Sequence, residues 1–167
     1  GAKVPFMRSA KASNDYATTS DVLREVLAAY SDRGREFLVA CCAYPTAPFV
    51  IPKKVAAEKA DLLNSSFDVV VPVATFTYPI WRSLPREDDG SIALKFPEHL
   101  NSRFQELATA FHDAGQWYWF RVDVFLTAGN LLGSRVGSIV LSTAEVQDIE
   151  KEEEWVIAEI WHERMFG

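Results

Sequence analysis

Apolar positions along the chain fall into alternating helix-like and strand-like runs. After a polar stretch at 8–19, Leu23, Val26, Leu27 and Tyr30 recur at i, i+3, i+4 and i+7, which places them on one helical face. Thr18 followed by Asp21 forms a capping pair for that helix, and Gly34 marks its end. Residues 37–44 are apolar without a break, a pattern that predicts a strand covered by helices on both faces of a parallel sheet. Pro45 and Pro48 close it. Pro52 suits the first turn of a second helix, whose buried side is expected to carry Val55, Ala56, Leu62 and Leu63. Residues 67–76 are rich in β-formers, and Pro72 among them predicts an edge strand or a bulge.

Two short extended pieces at 80–84 and 92–96 flank Glu87-Asp88-Asp89-Gly90, predicting a hairpin that projects from the body. A short helical stretch at 103–108, an aromatic strand at 116–120, a helical turn at 122–127 and a strand at 136–141 follow. A last helix from Lys151 is expected to turn Ile157, Ile160, Trp161 and Met165 inward. Val4-Pro5-Phe6 reads as a short strand entering a loop. Strands alternating with helices favour an open α/β sheet over all-helical or all-β architectures.

Length supports one domain spanning 1–167. A chain of 167 residues, 49% of them hydrophobic, builds a core without a disulfide or a metal staple. The adjacent Cys41 and Cys42 read as core thiols rather than as a disulfide framework. The apolar runs are far shorter than the roughly 18 residues that cross a bilayer, and no charged-then-apolar leader is seen. The expectation is a cytoplasmic protein without a membrane partner. The net charge of -6 is local: eight acids and one base lie in 145–163, leaving the remaining residues nearly neutral. Without a basic stripe, nucleic acid is not an expected partner.

The common catalytic signatures, a nucleophile elbow, a phosphate loop and a dinucleotide turn, are absent. Three polar clusters remain. In Gln147-Asp148-Ile149-Glu150, carboxylates two apart in an extended segment point to one side and can reach a hard cation such as magnesium. Alternatively, Asp148 caps the final helix, with Glu150 near its positive end. The second cluster joins Arg103 and Gln105 to His112-Asp113-Ala114-Gly115-Gln116-Trp117-Tyr118-Trp119. Arg103 can hold a carboxylate bidentately, and Gln105, Gln116 and Tyr118 are neutral partners for a hydroxylated or N-acylated ligand. The same residues also fit a packed aromatic strand beside a surface arginine. The third, Tyr44-Pro45-Thr46-Ala47-Pro48-Phe49, follows a strand at the end where α/β sheets bind ligands, or simply closes that strand.

Taken in order, Ala43-Tyr44-Pro45-Thr46-Ala47-Pro48-Phe49, Phe76-Thr77-Tyr78-Pro79-Ile80, Phe96-Pro97-Glu98-His99, Arg103-Phe104-Gln105-Glu106-Leu107, the His112 to Trp119 string and Val146-Gln147-Asp148-Ile149-Glu150 resemble the acylneuraminate cytidylyltransferases. Within that family the likeness is closest to the pseudaminic acid cytidylyltransferases. The resemblance implies a nucleotide-diphospho-sugar transferase fold, Rossmann-like, with a mixed central sheet and helices on both faces. It implies condensation of CTP with a nine-carbon sugar acid to give the CMP-sugar and pyrophosphate. It further implies Asp148 and Glu150 as magnesium ligands, Asp148 and Arg103 as catalytic groups, and Arg103, Gln105, Gln116, Tyr118, Tyr44 and Thr46 lining the substrate crevice. Glu150 stands where the family usually has an aspartate. A homodimer joined through residues 78–98 is implied as well. The family's opening strand and phosphate-cradling loop have no counterpart here, so the expectation is an N-terminally truncated domain, inactive by itself, or a fragment serving as a binding or assembly module.

Overall fold

Thr18 accepts a hydrogen bond from the Asp21 N–H and returns its own N–H to the Asp21 carboxylate at 3.0 Å, a reciprocal cap that opens helix α1 (Thr19–Ser31). A computed structural model describes residues 3–133 and 135–167 of the chain. Helices α2 (Pro52–Asn64), α3 (Val122–Ala128) and α4 (Glu152–Phe166) accompany strands β1 (Val39–Ala43), β2 (Val69–Thr75), β3 (Phe111–Asp113), β4 (Trp117–Arg121) and β5 (Val136–Val140). Pro52 occupies the first turn of α2, where its missing N–H has no helical partner to lose.

The architecture is α/β. β4 runs antiparallel to β1, from Val39 opposite Arg121 to Ala43 opposite Trp117, and antiparallel to β2 at Val69 and Val70. β2 and β5 are parallel from Val69 opposite Val136 to Val73 opposite Val140, and β3 pairs with residues 73–75 of β2 in antiparallel sense. β1, β2 and β5 therefore run one way and β4 the other. The expected parallel setting of residues 37–44 is corrected: β1 is an edge strand paired only with β4 among the described strands, its residues are partly exposed, and Leu38 is 87% exposed. An unbroken apolar run reports composition but not the number of neighbours.

Pro72 is corrected as well. It lies in a central strand, where the side of β2 facing away from β5 passes from β4 to β3. Its carbonyl accepts from the Ala114 N–H at 3.0 Å, and at that gap neither partner strand needs a donor from it.

Alternation along β4 divides the core between two faces. Tyr118, Phe120 and Val122 pack with Val69, Val71, Leu27 and Phe125 beneath α1 and α3. Trp117 packs with Ala114 and Leu141 on the α2 side, where Val55, Cys41 and Trp119 join it. The Trp119 indole donates to the Val55 carbonyl at 2.8 Å, and the Arg121 guanidinium donates to the Leu62 and Ser65 carbonyls at 2.8 and 3.2 Å. Both thiols are half-buried, and burial pushes Cys41 up to about 12, which disfavours the thiolate.

Five further expectations need correction. On α2, Ala56 and Leu63 are exposed, and the wholly buried Glu58 takes the inward position with Leu62 because the Trp117 indole N–H requires an acceptor there. On α4, Ala158 is buried with Trp161 and Met165 partly so, while Ile157 and Ile160 face out beside Trp155 and Val156. Apolar residues encircle most of that helix, so periodicity could not choose its face. The hairpin at 78–98 is held by the Lys95 N–H to Ser83 carbonyl bond of 3.0 Å, an Arg86–Ile92 bridge and the Glu87 N–H to Ser91 carbonyl bond of 2.9 Å, but its first arm opens in a 3-10 turn, Ile80–Arg82. Residues 103–108 hold a single such turn, Phe104–Glu106. Val4, Pro5 and Phe6 form no strand, and Gly1 and Ala2 lie outside the described residues.

Candidate functional site beyond the strand ends

Because β1, β2 and β5 run in one direction, their carboxyl ends open on one side of the sheet, where β4 begins. In an open α/β sheet this is where a crevice forms. Tyr44 and Thr46 follow β1, Gly115 and Gln116 lead into β4, and Gln147 to Glu150 follow β5. Backbone bonds lace these segments together. The Tyr44 N–H donates to the Gln116 carbonyl at 2.9 Å, and the Ile149 N–H donates to the Thr46 carbonyl at 3.1 Å. The wholly buried Gln116 side chain donates to the Glu145 carbonyl, and its Oε1 has no partner among the described residues. Glu145 is pinned by Lys54 at 2.6 Å, which holds its carboxyl below the usual range.

Gly115 brings the turn close to Asp148. At φ 62 it occupies the left-handed region that favours glycine, and a Cβ there would stand 3.7 Å from Asp148 Oδ2. Asp148 and Glu150 are both exposed. The helix-cap alternative for Asp148 is corrected. Glu154 caps α4, its carboxylate accepting from the Glu150 and Lys151 N–H groups at 2.7 and 2.9 Å. The Asp148 carboxylate enters none of the described hydrogen bonds. Among the described residues no three His, Cys, Asp or Glu gather into a cage. An exposed carboxylate pair nevertheless fits magnesium, which commonly takes one or two carboxylates and fills its shell with water and phosphate oxygens.

Next to this segment, Tyr118 donates its hydroxyl to Asp113 Oδ2 at 2.6 Å, while Asp113 Oδ1 accepts from the Gly115 N–H at 2.8 Å. Burial and the Asp113 contact push the Tyr118 phenol above its ordinary range. Tyr44 packs edge-on against Tyr118 with ring centres 5.6 Å apart, and its hydroxyl lies 2.6 Å from Thr19 Oγ1. Both tyrosines, with Thr18, Thr19, Ser20, Asn130 and Leu131, line an open cleft of about 500 Å³. The sequence reading missed the hydroxyl run 18–20, taken only as a helix start, and it missed Asn130 and the role of Asp113. The available signal was the local density of hydroxyls at the Thr18 cap.

Arg103 and Gln105 are exposed on the excursion, and Arg103 Nε lies 3.9 Å from Glu106. None of the described contacts joins either residue to Tyr44, Tyr118 or Asp148. His112 turns Nδ1 to the Asp113 carbonyl at 2.8 Å and packs against Phe76. A second groove, of about 430 Å³, lies at the opposite end of β1 and is lined by Leu27, Phe37, Leu38, Leu63 and Leu126 among others. No helix among the described residues is long and apolar enough to cross a membrane.

No protein-family model matches the chain. Curated proteins do. A pseudaminic acid cytidylyltransferase of Campylobacter jejuni serotype O:2 is 25% identical over 156 residues, covering 90% of this chain and 67% of that protein. Its counterpart from serotype O:23/36 is 25% identical over 160 residues, covering 96% of this chain and 69% of that protein. A Helicobacter pylori protein named as both pseudaminic acid cytidylyltransferase and UDP-2,4-diacetamido-2,4,6-trideoxy-beta-L-altropyranose hydrolase is 29% identical over 151 residues, covering 89% of this chain and 28% of that protein. The order of motifs from Tyr44 to Glu150 and these alignments agree: the chain is related over about nine-tenths of its length to the pseudaminic acid cytidylyltransferases.

Proposed function

We propose that this chain forms the sugar-acid and metal-binding part of a cytidylyltransferase of the nucleotide-diphospho-sugar transferase fold, one that joins CTP to a nonulosonic acid of the pseudaminic or sialic type. The observation that carries the reading is the convergence of Tyr44 and Thr46, Gln116 and Tyr118, and Asp148 and Glu150 at one end of the sheet. These residues come from three separate stretches of sequence. They bring hydroxyls, an aromatic wall and two exposed carboxylates to one end of the sheet, a set suited to a hydroxylated acid and a nucleotide phosphate.

In the reaction, the anomeric hydroxyl of the sugar acid attacks the α-phosphorus of CTP and pyrophosphate departs. Asp148 and Glu150 would hold magnesium, which supplies charge compensation on the phosphates. Tyr44, Thr46 and Tyr118 wall the substrate and orient its hydroxyls. Arg103 offers a fork of donors to the sugar carboxylate, and Gln105 adds an amide. Tyr78, Leu84 and Ile92 are exposed on the 78–98 excursion, apolar area suited to a second copy of the chain in a homodimer.

The test uses the complete polypeptide that contains this chain, supplied with CTP, magnesium and a panel of nine-carbon sugar acids. Pyrophosphate release that requires all three components is the expected result. Release from CTP at the same rate without any sugar acid, or none with every acid in the panel, would contradict the proposal.

A further inference from the structure

Tyr118 Oη has one proton to give, and the structure shows where it goes. Asp113 Oδ2 accepts it at 2.6 Å, and Asp113 is held for that task because its other oxygen takes the Gly115 N–H at 2.8 Å. Asp113 comes from the end of β3 and Tyr118 from β4, so the contact also closes the turn between them. The Tyr118 hydroxyl is the donor of this pair and Asp113 Oδ2 the acceptor. The phenol oxygen keeps its lone pairs, and Tyr118 lines the cleft with Thr18, Thr19, Tyr44 and Asn130. Tyr44 lies beside it, its hydroxyl 2.6 Å from Thr19 Oγ1 and also within hydrogen-bonding reach of the Tyr118 phenol, while Asp113 is the carboxylate that Tyr118 meets.

We propose that Asp113 is a positioning residue that fixes the hydrogen-bond polarity of the cleft: by taking the Tyr118 proton it makes Tyr118 Oη an acceptor toward the ligand, selecting a substrate that presents a hydroxyl or amide N–H donor there. This rests on the proposed cytidylyltransferase reading and narrows it, since an N-acylated or hydroxylated sugar acid carries such a donor and an analogue lacking it does not. A site built to bond one particular donor discriminates against ligands without it, because its own polar atom is then left unpaired.

The test compares Asp113→Asn and Tyr118→Phe with the unsubstituted complete polypeptide, using a sugar acid and a series of analogues that each lack one hydroxyl or amide donor. Asparagine can turn its amide toward Tyr118 and reverse the bond, and phenylalanine keeps the ring that packs in the core. Both variants are expected to raise KM for the parent acid about tenfold, the usual size of one such hydrogen bond, with a smaller change in kcat. For one analogue the preference shown by the unsubstituted protein disappears in both variants. The double variant is expected to be no worse than Tyr118→Phe alone. Unchanged KM in both folded variants, a loss confined to kcat, or additive losses would overturn the proposal. If the unsubstituted protein turns over no sugar acid, the reading of function fails instead, and an ultraviolet titration of the tyrosines still tests Asp113. One tyrosine that ionises above the rest, and that moves down in Asp113→Asn and vanishes in Tyr118→Phe, supports the contact. A late-ionising tyrosine that persists in Tyr118→Phe would overturn it.

Discussion

Asp148→Asn is expected to lower cytidylyl transfer by about 100-fold or more, a loss of roughly 3 kcal/mol of transition-state stabilisation, while leaving the fold in place. The reason lies in what its carboxylate does not do. It is exposed, enters none of the described hydrogen bonds, and leaves the capping of α4 to Glu154. Removing its charge therefore breaks no described structural contact. It would, however, halve the carboxylate pair proposed to hold magnesium beside the Gly115 turn. Raising magnesium should recover part of the activity if affinity for the ion is what was lost. Steady-state rates across a magnesium series, with a thermal midpoint for each protein, check this outcome. A lowered midpoint with an unchanged rate would return Asp148 to the scaffold.

Glu58 should make the protein less stable as pH rises, and Glu58→Gln should remove most of that dependence. Its side chain is wholly buried, one oxygen accepts from the Trp117 indole, and Oε1 has no partner among the described residues. Burial lifts its pKa from an ordinary 4.5 to about 7. The sign follows from which state holds the proton more tightly. The folded chain keeps it to about pH 7, whereas the unfolded chain releases it from about 4.5 upward. Stability is thus fully present below the lower value, falls between the two, and stays low above the upper one. The fall amounts to about 3–4 kcal/mol at some 1.4 kcal/mol per pH unit. Glutamine can still accept from Trp117 and has no proton to lose, so the variant should be the more stable protein at pH 8. Chemical denaturation at pH 5, 6, 7 and 8 reads the difference. Parallel curves for the two proteins would refute it.

Much of the secondary structure was legible because local chemistry dictated it. The Thr18 and Asp21 cap, Pro52 in a first turn and the alternation of residues 117–121 act within a few residues of themselves. What failed depended on neighbours distant in sequence. Residues 37–44 read as a doubly covered strand, yet β1 stands at an edge, and pairing partners leave no trace in a strand's own composition. Pro72 reads as an edge or bulge signal because the handover from β4 to β3 is a tertiary event. Glu58 was passed over since a charged residue on a helix reads as surface until Trp117 is known to face it. Tyr44, Thr46 and Asp148 are candidates through their place after strands, and their segments lie close together, joined by backbone bonds among residues 44, 46, 116 and 149. Arg103 and Gln105 are candidates through their side-chain chemistry and through the family resemblance, and they stand apart on the excursion. The sequence assigns Asp113 no role of its own, because its partner Tyr118 is reached only once β3 and β4 are folded against each other.

The central claim is that nucleotide and metal meet beyond the carboxyl ends of β1, β2 and β5. It is tested most directly by amide spectra of the complete polypeptide titrated with CTP and a trace of manganese, which broadens signals near the bound ion. The account predicts broadening that begins at Gly115, Gln116, Asp148 and Ile149, reaches Tyr44 and Thr46 next, and requires CTP. Broadening centred on the Glu152 and Glu153 face of α4, or on the groove around Leu27, Phe37 and Leu126, would contradict it.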